Sequence, residues 1–335
     1  MKTYVIEAFG LDGLKIVERP TPTPSYGQAL VRWKAFSLNS RDSMVVKGIY
    51  NPKLRLPLIP FSDGAGIVEA VGEGVTRVKP GDRVTSLILP QWQSGDLTDA
   101  LLRTGLGGSV DGVLAEASVL SENGLVAFPE HLSFEEAATL PCAALTAWNA
   151  LVTSGGIKAG DVILVQGTGG VSLFALQFAK FSGARVVATS SSDAKLARAK
   201  ELGADVLINY KTTPDWGDAA RKLVGGAGVD HVVEIGGAGT LAQSMRAVRA
   251  GGRISLIGVL AGGGGQISLL PILMRNLVAQ GIFVGDRAML EAMNRAISLH
   301  KMRPIIDRVF PFDEVIPALR HMESGAHFGK IVVKI

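Results

Sequence analysis

The sequence predicts an α/β protein of two domains, one mostly β and one built on a doubly wound parallel sheet. From about residue 130, helical stretches alternate several times with short Val- and Ile-rich runs, which is typical of a parallel sheet covered by helices. Residues 1–124 instead consist of short segments punctuated by Pro and Gly, as expected for β-structure. The length of 335 residues, 47% of them hydrophobic, is sufficient for two cores.

The order of these patterns predicts the domain boundaries. We expect residues 1–124 and 286–335 to form the mostly β domain and residues 125–285 to form the parallel-sheet domain. The tail after residue 285 has no nucleotide-fold pattern and closes on the strand-like GKIVVKI, so we expect it to return to the first domain. Ser133 and Glu136 match a capping box, which predicts the start of a helix at this point.

Composition excludes several classes of function. The formal charge of +4 is spread without basic blocks, which argues against a nucleic-acid surface. A single cysteine, Cys142, permits neither an internal disulfide nor a cysteine-rich metal site, and it fits a reducing compartment. The first residues lack an apolar signal core, and the longest apolar stretch is interrupted by Pro271 and Arg275. We therefore expect a soluble cytoplasmic protein without a nucleic-acid or membrane partner.

The segment VQGTGGVS, residues 165–172, combines a predicted strand end, a glycine-rich turn and a predicted helix start. In the dinucleotide fingerprint, small residues allow the tight turn, the approach of backbone to pyrophosphate, and the packing of helix on strand. Ser172 occupies the third small position, and its hydroxyl is a further candidate phosphate contact. A turn with packing duties alone is the alternative. The predicted cofactor contacts here are Gly167, Thr168, Gly169, Gly170 and Val171.

The next predicted strand, ARVVATS, indicates which nucleotide is bound. An NAD site usually carries Asp or Glu at this strand end, where it binds the ribose 2′-hydroxyl. Here the strand ends in Ser190, Ser191 and Ser192, and Lys195 follows. Hydroxyls and an ammonium suit a 2′-phosphate, so we predict NADP(H). The alternatives are that the serines only start a helix and Lys195 faces water; nearby Asp193 is a poor neighbour for phosphate.

Together these residues resemble the medium-chain dehydrogenase/reductase superfamily, and within it the zinc-free branch of quinone oxidoreductases and zeta-crystallin-like enzymes. The resemblance covers essentially the whole chain and includes the stretches PFSDGAGIVEAVG, AATLPCAALTAWNAL, VQGTGGVSLFALQFAK, RAKELGADVLINY and HFGKIVVKI. It implies a GroES-like substrate domain formed by both chain ends, a Rossmann domain, and a cofactor in the cleft between them. It also implies a homodimer joined through the strand near residues 278–285.

The resemblance implies further contacts with the cofactor. Lys195 and Tyr210 match a Lys and a Tyr that contact the 2′-phosphate in NADP-binding relatives. Thr146 matches a threonine near the nicotinamide. Two segments that line the nicotinamide are matched by Gly258, Val259 and Leu260 and by Phe283 and Val284. A C-terminal segment that closes over the cofactor is matched by Phe328 and Lys330.

The resemblance also shows which residues stand at the positions of the family's zinc ligands. Zinc-dependent members carry a Cys, a His-Glu pair and a second Cys, but this sequence has Asn39, Ser62-Asp63 and Cys142 at those places. One thiol with amide and hydroxyl companions is a poor zinc site, and Cys142 is then a small buried hydrophobe. The four-cysteine structural site is absent, and the histidines show no ligand spacing. We predict no metal.

Without a Lewis acid, hydrogen-bond donors or a conjugated substrate must stabilise the oxygen that gains charge. The candidate catalytic donors are Tyr50, Asn39 and Ser62, with Arg41 as a further donor. Tyr50 resembles a tyrosine near the active site of the quinone-reductase branch. Structural alternatives are that Asn39 bonds only backbone, that Tyr50 only covers its loop, and that Asp63 orders the loop before GAG.

Three functions remain open. The first is a zinc-independent, NADPH-dependent oxidoreductase that transfers hydride to a quinone or an α,β-unsaturated carbonyl. The second is an NADP-dependent alcohol dehydrogenase or ketone reductase on the same scaffold. The third is a nucleotide-binding regulatory or crystallin-like protein without efficient turnover. The phosphate turn supports cofactor binding in all three, so it does not separate them.

Overall fold

The computed structural model describes all 335 residues. Its strands, numbered in chain order, are β1 Lys2–Ile6, β2 Leu14–Glu18, β3 Gln28–Ser37, β4 Asp63–Val71, β5 Arg83–Ser86, β6 Ala117–Ser121, β7 Leu125–Ala127, β8 Val162–Gln166, β9 Arg185–Ser190, β10 Val206–Asn209, β11 Val229–Glu234, β12 Val248–Leu256, β13 Val278–Gly281, β14 Ile306–Pro311 and β15 Lys330–Lys334. Its α-helices are α1 Ser40–Val46, α2 Asp99–Leu102, α3 Phe134–Ala137, α4 Leu145–Trp148, α5 Gly170–Phe181, α6 Asp193–Glu201, α7 Trp216–Leu223, α8 Leu241–Ala247, α9 Leu270–Met274, α10 Arg287–His300 and α11 Val315–Glu323.

The chain divides into two compact units. The first comprises Met1–Leu145 and Asp286–Ile335, and the second comprises Thr146–Gly285. Residues 125–145, which the sequence places with the parallel-sheet domain, lie with the first unit. The reason is that β7 pairs with β5, while α3 packs against β3 and β4.

The second unit is a six-stranded parallel sheet in the order β10-β9-β8-β11-β12-β13. The order runs outward from β8 in one direction through β9 and β10, and in the other through β11, β12 and β13. This reversal between β8 and β11 is the arrangement of dinucleotide-binding sheets, whose ligands bind beyond the carboxyl ends of the strands at that point. The predicted doubly wound sheet is therefore present.

Apolar residues on both faces of the strands hold this sheet between helices. On one face, Leu164, Val187 and Val232 form a buried cluster with residues of α7 and α8. Because side chains alternate along a strand, Ile163 and Val165 point to the opposite face, and they are also fully buried. The helix α5 packs against β8 and β9. Burial on both faces explains why these strands read as continuous Val and Ile runs.

The first unit is mostly β, with a seven-stranded sheet in the order β14-β15-β3-β4-β5-β7 and with β6 also paired to β3. Strands from both ends of the chain meet here, because β15 pairs antiparallel with β3. The core joins the same two ends: Tyr4 packs edge-on against Phe312 at 5.2 Å, and its hydroxyl donates to the Phe312 carbonyl at 3.0 Å.

The predicted capping box is confirmed. The Ser133 hydroxyl accepts a hydrogen bond from the Glu136 amide at 3.2 Å, and Glu136 Oε2 accepts one from the Ser133 amide at 2.8 Å. The helix α3 begins directly after Ser133, and helical structure continues with short π-helical segments as far as Thr153. No helix in the chain has the length and apolar character needed to cross a bilayer.

One buried histidine makes the stability of the second unit depend on pH. His231 lies inside β11, where its Nε2 is 2.8 Å from Ser255 Oγ. Burial, together with the nearby Arg253 charge, lowers the pKa of His231 to about 3. The neutral ring is therefore the form that the folded sheet accommodates.

We expect this histidine to destabilise the fold as pH falls from 6.5 toward 4. The unfolded chain takes up a proton near pH 6.5 and the folded chain only near pH 3, so the free energy of unfolding decreases by up to about 1.4 kcal/mol per pH unit in this window. The variant His231→Gln should lack this component. Denaturant unfolding of both proteins from pH 7.5 to 4.5 measures it; His131→Gln is the control, and parallel curves would contradict the assignment.

Candidate nucleotide-binding and active sites

The glycine-rich turn of the second unit lies at the carboxyl end of β8, beside the reversal in strand order. Gly167 adopts a φ of +67°, which favours glycine, and its amide donates to the Thr189 carbonyl at 2.8 Å. Gly169 precedes α5, and a Cβ placed on it would meet no atom within 4 Å, so the turn faces open space. The first amides of α5 lack partners within the helix and suit an anionic group such as pyrophosphate.

Ser172 supports this turn from inside the protein. Its side chain is fully buried, and its hydroxyl donates to the carbonyl of Gln166 at 2.6 Å. This hydroxyl is therefore used to join the first turn of α5 to the end of β8. The candidate phosphate contact through the Ser172 hydroxyl is corrected accordingly, because the group points into the protein.

The serines after β9 lie where the sequence predicts the 2′-phosphate site. The Ser190 hydroxyl accepts a hydrogen bond from the Ser192 amide at 3.3 Å, and the Ser192 hydroxyl caps α6 by accepting one from the Lys195 amide at 3.4 Å. Tyr210 is bound to the same strand end, since its amide donates to the Ser190 carbonyl at 3.0 Å. The Asp193 carboxylate accepts a hydrogen bond from the side-chain amide of Asn209 at 2.7 Å.

The segments predicted to line the nicotinamide also belong to the second unit. Gly258, Val259 and Leu260 follow β12, and the latter two side chains are exposed. Phe283 and Val284 follow β13, which ends at Gly281 and is shorter than the predicted strand. Val284 has a φ of +48°, and its carbonyl accepts a hydrogen bond from the Asn149 side chain at 2.8 Å. Thr146 lies buried in α4.

In the first unit, Lys330 is buried beside Asn39. The antiparallel register that pairs Val332 with Ser37 brings Lys330 opposite Asn39, just beyond the end of β3. Lys330 is 4% exposed, and its ammonium donates to the Leu38 carbonyl at 2.5 Å and to Asn39 Oδ1 at 2.6 Å. The ammonium is thus used inside the first unit, and the predicted contact of the segment 328–330 with the cofactor stays a prediction.

Asp63 lies at the start of β4, on the other side of β3, where it pairs with Ser37. Its Oδ1 accepts a hydrogen bond from the Ser62 hydroxyl at 2.8 Å, and its Oδ2 accepts one from the Cys142 amide at 3.2 Å. Ser62 is fully buried and its one hydroxyl proton is directed at Asp63, so the structure lends no support to its predicted role as a donor to substrate. The hydroxyl instead stabilises the Asp63 carboxylate.

The same cluster contains Asp42. Asp42 is fully buried in the first turn of α1, and its Oδ2 accepts a hydrogen bond from the Asn39 amide at 2.7 Å. Burial raises the pKa of Asp42 to about 7, against the lowering effect of the Arg41 charge. Burial likewise raises the pKa of Asp63 and lowers that of Lys330, while the attraction between these two opposes both changes. The spacing Asn39-x-x-Asp42 is a capping pattern that could have located this carboxylate.

Asn39 keeps one polar group for other use. Its side-chain nitrogen Nδ2 is buried and has no hydrogen bond of good geometry. The Asn39 side chain nevertheless helps to lower the pKa of Asp63. Tyr50 is 40% exposed, and its ring lies 5.4 Å from the Arg41 guanidinium, which donates to the Leu106 carbonyl at 3.0 Å. Of the three predicted donors, Tyr50 is thus exposed, Asn39 Nδ2 is buried without a partner, and the buried Ser62 hydroxyl donates to Asp63.

Zinc does not fit the residues at the positions of the family ligands. The Asn39 oxygen already accepts the Lys330 ammonium, and the Ser62 hydroxyl donates to Asp63. Cys142 is half-buried, and it is the one soft ligand among these amide, hydroxyl and carboxyl groups. The Lys330 ammonium thus lies among the groups that would have to bind zinc. These groups are poorly suited as ligands of a metal ion.

Phe328 lies outside both of these clusters. Its side chain is buried, and its amide donates to Asp307 Oδ1 at 2.9 Å within the first unit. The ring is thus packed inside the first unit, and the predicted contact of the segment with the cofactor stays a prediction.

Sequence reasoning missed a buried pair in the second unit. Gln166, the last residue of β8, donates from Nε2 to the carboxylate of Glu234, the last residue of β11, at 2.6 Å. Both residues are buried. The available signal was a polar residue at the end of each of two strands, shortly before glycine, in QG and EIGG.

Two family models match the chain. One, described as the alcohol dehydrogenase GroES-like domain, covers residues 25–130, and the other, described as zinc-binding dehydrogenase, covers residues 170–298. Among curated proteins, a zinc-type alcohol dehydrogenase-like protein of Schizosaccharomyces pombe is 46% identical over 99% of both chains. The quinone oxidoreductase of Sus scrofa is 27% identical over 93% of this chain and 90% of its own.

Solved structures agree in fold over the whole chain. A Sinorhizobium meliloti protein named as a candidate alcohol dehydrogenase is 45% identical with a TM-score of 0.93, covering 100% of this chain and 98% of its own. An NAD-dependent alcohol dehydrogenase is 38% identical with a TM-score of 0.91 and full coverage of both chains. With its GroES-like and nucleotide-binding units, the chain belongs to the medium-chain dehydrogenase/reductase superfamily of oxidoreductases.

Proposed function

We propose that this protein is a zinc-independent, NADPH-dependent oxidoreductase that transfers hydride to a quinone or an α,β-unsaturated carbonyl. The observation that carries the proposal is the hydrogen bonding of the groups at the zinc-ligand positions: the Lys330 ammonium donates to Asn39, and the Ser62 hydroxyl donates to Asp63. In a conjugated substrate, the negative charge that follows hydride addition spreads over several atoms. Such a substrate therefore needs less help from a Lewis acid.

The residues of the chain divide the work between binding and charge stabilisation. The turn after β8 binds the pyrophosphate through backbone amides, and a bound nicotinamide coenzyme supplies the hydride. Asn39 Nδ2, a buried donor without a partner of good geometry, and the Tyr50 hydroxyl are the groups proposed to donate to the substrate oxygen. Donors that are fixed before the reaction stabilise developing charge without reorganisation.

An alcohol dehydrogenase or ketone reductase is the second candidate. Relatives named as alcohol dehydrogenases favour it. Oxidation of a simple alcohol or reduction of a simple ketone concentrates charge on one oxygen, which zinc would otherwise polarise. The donor set disfavours zinc, so this candidate ranks below the conjugated substrates.

A substrate panel tests the proposal. We expect NADPH consumption with quinones and enals to exceed that with simple ketones by at least about tenfold in kcat/KM, unchanged after dialysis against a chelator. Tyr50→Phe should lower kcat/KM by about tenfold, the usual size for one lost donor, with Tyr26→Phe as the exposed control. Preference for simple alcohols or ketones, or loss of activity on chelation, would favour the second candidate.

The preference for NADPH rests on the end of β9 and the start of α6. Ser190, Ser191, Ser192, Lys195 and Tyr210 supply hydroxyls and an ammonium, with no carboxylate at the strand end. A 2′-phosphate gains charge-assisted hydrogen bonds from such groups. One similar structure is named as an NAD-dependent enzyme, so the affinities for NADPH and NADH must be compared directly.

Lys195→Ala tests this preference. We expect the Kd for NADPH to rise about tenfold, because one charge-assisted contact is lost, and the Kd for NADH to change by less than about twofold. Fluorescence titration of both coenzymes gives the values. Lys200→Ala, on the same helix, is the matched control. Equal affinity of the unmodified protein for NADPH and NADH would remove the proposed role of this segment.

We also propose a homodimer formed through β13. This strand ends the sheet and pairs only with β12, so its outer edge offers unpaired backbone groups to a second copy. The neighbouring α9 exposes a large apolar surface formed by Leu269, Leu270, Leu273 and Met274. Exposed apolar surface of this kind is typical of interfaces.

Light scattering after gel filtration tests the dimer. We expect the mass of two chains for the unmodified protein and of one chain for Leu273→Glu, because a charge would be buried in the interface without a partner. Leu299→Glu, at a side chain of similar exposure (79% against 77%), should leave the mass unchanged. A single-chain mass for the unmodified protein would exclude this interface.

A further inference from the structure

A buried amide–carboxylate pair lies where the strand order of the second unit reverses. Gln166 ends β8, Glu234 ends β11, and the two strands are neighbours in the sheet. Gln166 Nε2 donates to Glu234 Oε2 at 2.6 Å and approaches Ser244 Oγ at 2.8 Å. The pair therefore lies inside the protein, below the edge at which nucleotides bind in such sheets.

Only donors surround the Glu234 carboxylate. Its Oε1 accepts hydrogen bonds from the amides of Gly236 and Gly237 at 2.8 and 3.0 Å and from the Thr240 hydroxyl at 2.5 Å. Its Oε2 accepts from the Ser244 hydroxyl as well as from Gln166. An ionised carboxylate, which only accepts, satisfies all five donors. A neutral amide at this position would turn an NH2 group toward one of them.

Gln166 connects this carboxylate to the phosphate turn. Its Oε1 accepts hydrogen bonds from the amides of Ile235 and Gly236, both at 3.2 Å. Its backbone carbonyl accepts the Ser172 hydroxyl at 2.6 Å, and Gly167 follows it directly in the chain. One residue therefore holds both the start of the turn and the loop after β11.

The loop after β12 is attached to the same place. The Ile257 amide donates to the Glu234 carbonyl at 2.8 Å, and the Ala261 amide donates to the Gly236 carbonyl at 2.7 Å. The two loops approach so closely that a Cβ on Gly258 would lie 2.5 Å from the Ile235 carbonyl oxygen. The position of the segment 257–260 thus follows that of the loop that Glu234 organises.

We propose that Gln166 and Glu234 are positioning residues that hold the phosphate turn, the loop after β11 and the segment 257–260 in the arrangement that binds the coenzyme. The inference rests on the proposed coenzyme binding and extends it to residues that need not touch the coenzyme. Because the pair acts on the turn and not on the 2′-phosphate, it affects NADPH and NADH alike.

The test compares four proteins by coenzyme titration and thermal unfolding. Glu234→Gln should raise the Kd for NADPH and for NADH by the same factor, at least about tenfold, because a donor then faces a donor in a buried site. The exchange variant Gln166→Glu with Glu234→Gln restores one carboxylate and one amide with every donor matched. It should recover most of the lost affinity, which a purely local loss of packing would not.

Asp230→Asn is the matched control, since Asp230 lies near the start of the strand that Glu234 ends. Asp230 accepts hydrogen bonds from the Val162 amide and from Arg249, both at 2.7 Å. We expect this variant to lower the melting temperature without changing either Kd by more than about twofold. A comparable rise in Kd here would make the effect one of general stability and overturn the inference.

The outcomes separate this inference from the proposed function. If the unmodified protein binds neither coenzyme, the proposed function fails. If it binds coenzyme and Glu234→Gln binds equally well, or the exchange variant folds without recovering affinity, the positioning role fails. Should Glu234→Gln not fold, Thr240→Val removes a single donor and should raise both Kd values by about threefold; unchanged values would again contradict the role.

Discussion

Two carboxylates, Asp42 and Asp63, are buried in the first unit, and compensation of their charge governs the structure around them. Moving an ion out of water costs several kcal/mol unless a countercharge and hydrogen bonds replace the solvent. The chain supplies the countercharge for Asp63 chiefly as Lys330, at the start of its last strand, and for Asp42 chiefly as Arg41. The hydrogen bonds of this ammonium to Leu38 and Asn39 attach the C-terminal strand to the sheet built by the N-terminal residues, and its charge favours the ionised form of Asp63.

The same compensation shapes the reactivity of this unit. With the Asn39 oxygen and the Ser62 hydroxyl used internally, the two groups proposed to act on a substrate, Asn39 Nδ2 and the Tyr50 hydroxyl, are neutral. Neutral donors stabilise an oxygen less strongly than a divalent cation does. The proposed preference for conjugated carbonyls and quinones over simple alcohols rests on this argument, because such substrates spread their own charge.

The second unit meets a different constraint, because it must present backbone amides in a fixed arrangement without using charged side chains at the turn. Gly167 and Gly169 allow the backbone conformation of the turn. The buried Ser172 hydroxyl joins the start of α5 to the end of β8. Its one fully buried carboxylate, Glu234, is satisfied by donors from its own loop and from Gln166. Buried polar groups that are fully satisfied make a site rigid as well as stable.

Features that depend on neighbours in the chain could be predicted from the sequence. The capping box at Ser133, the glycine turn after β8 and the serines after β9 are patterns of a few residues, whose backbone preferences act within one turn of structure. The alternation of strands and helices fixed the fold class for the same reason. The Ser172 hydroxyl was misjudged because its direction depends on how α5 packs against β8.

The sequence by itself determined the fold class, the phosphate turn and the lack of a carboxylate at the end of β9, since each is written in a short stretch of residues. Only the tertiary structure decided that Lys330 pairs with Asn39, 291 residues away, and that Gln166 meets Glu234, 68 residues away. Such pairings follow from which strands are neighbours and in which register. That register is settled by the burial of whole sheet faces, which no local pattern specifies.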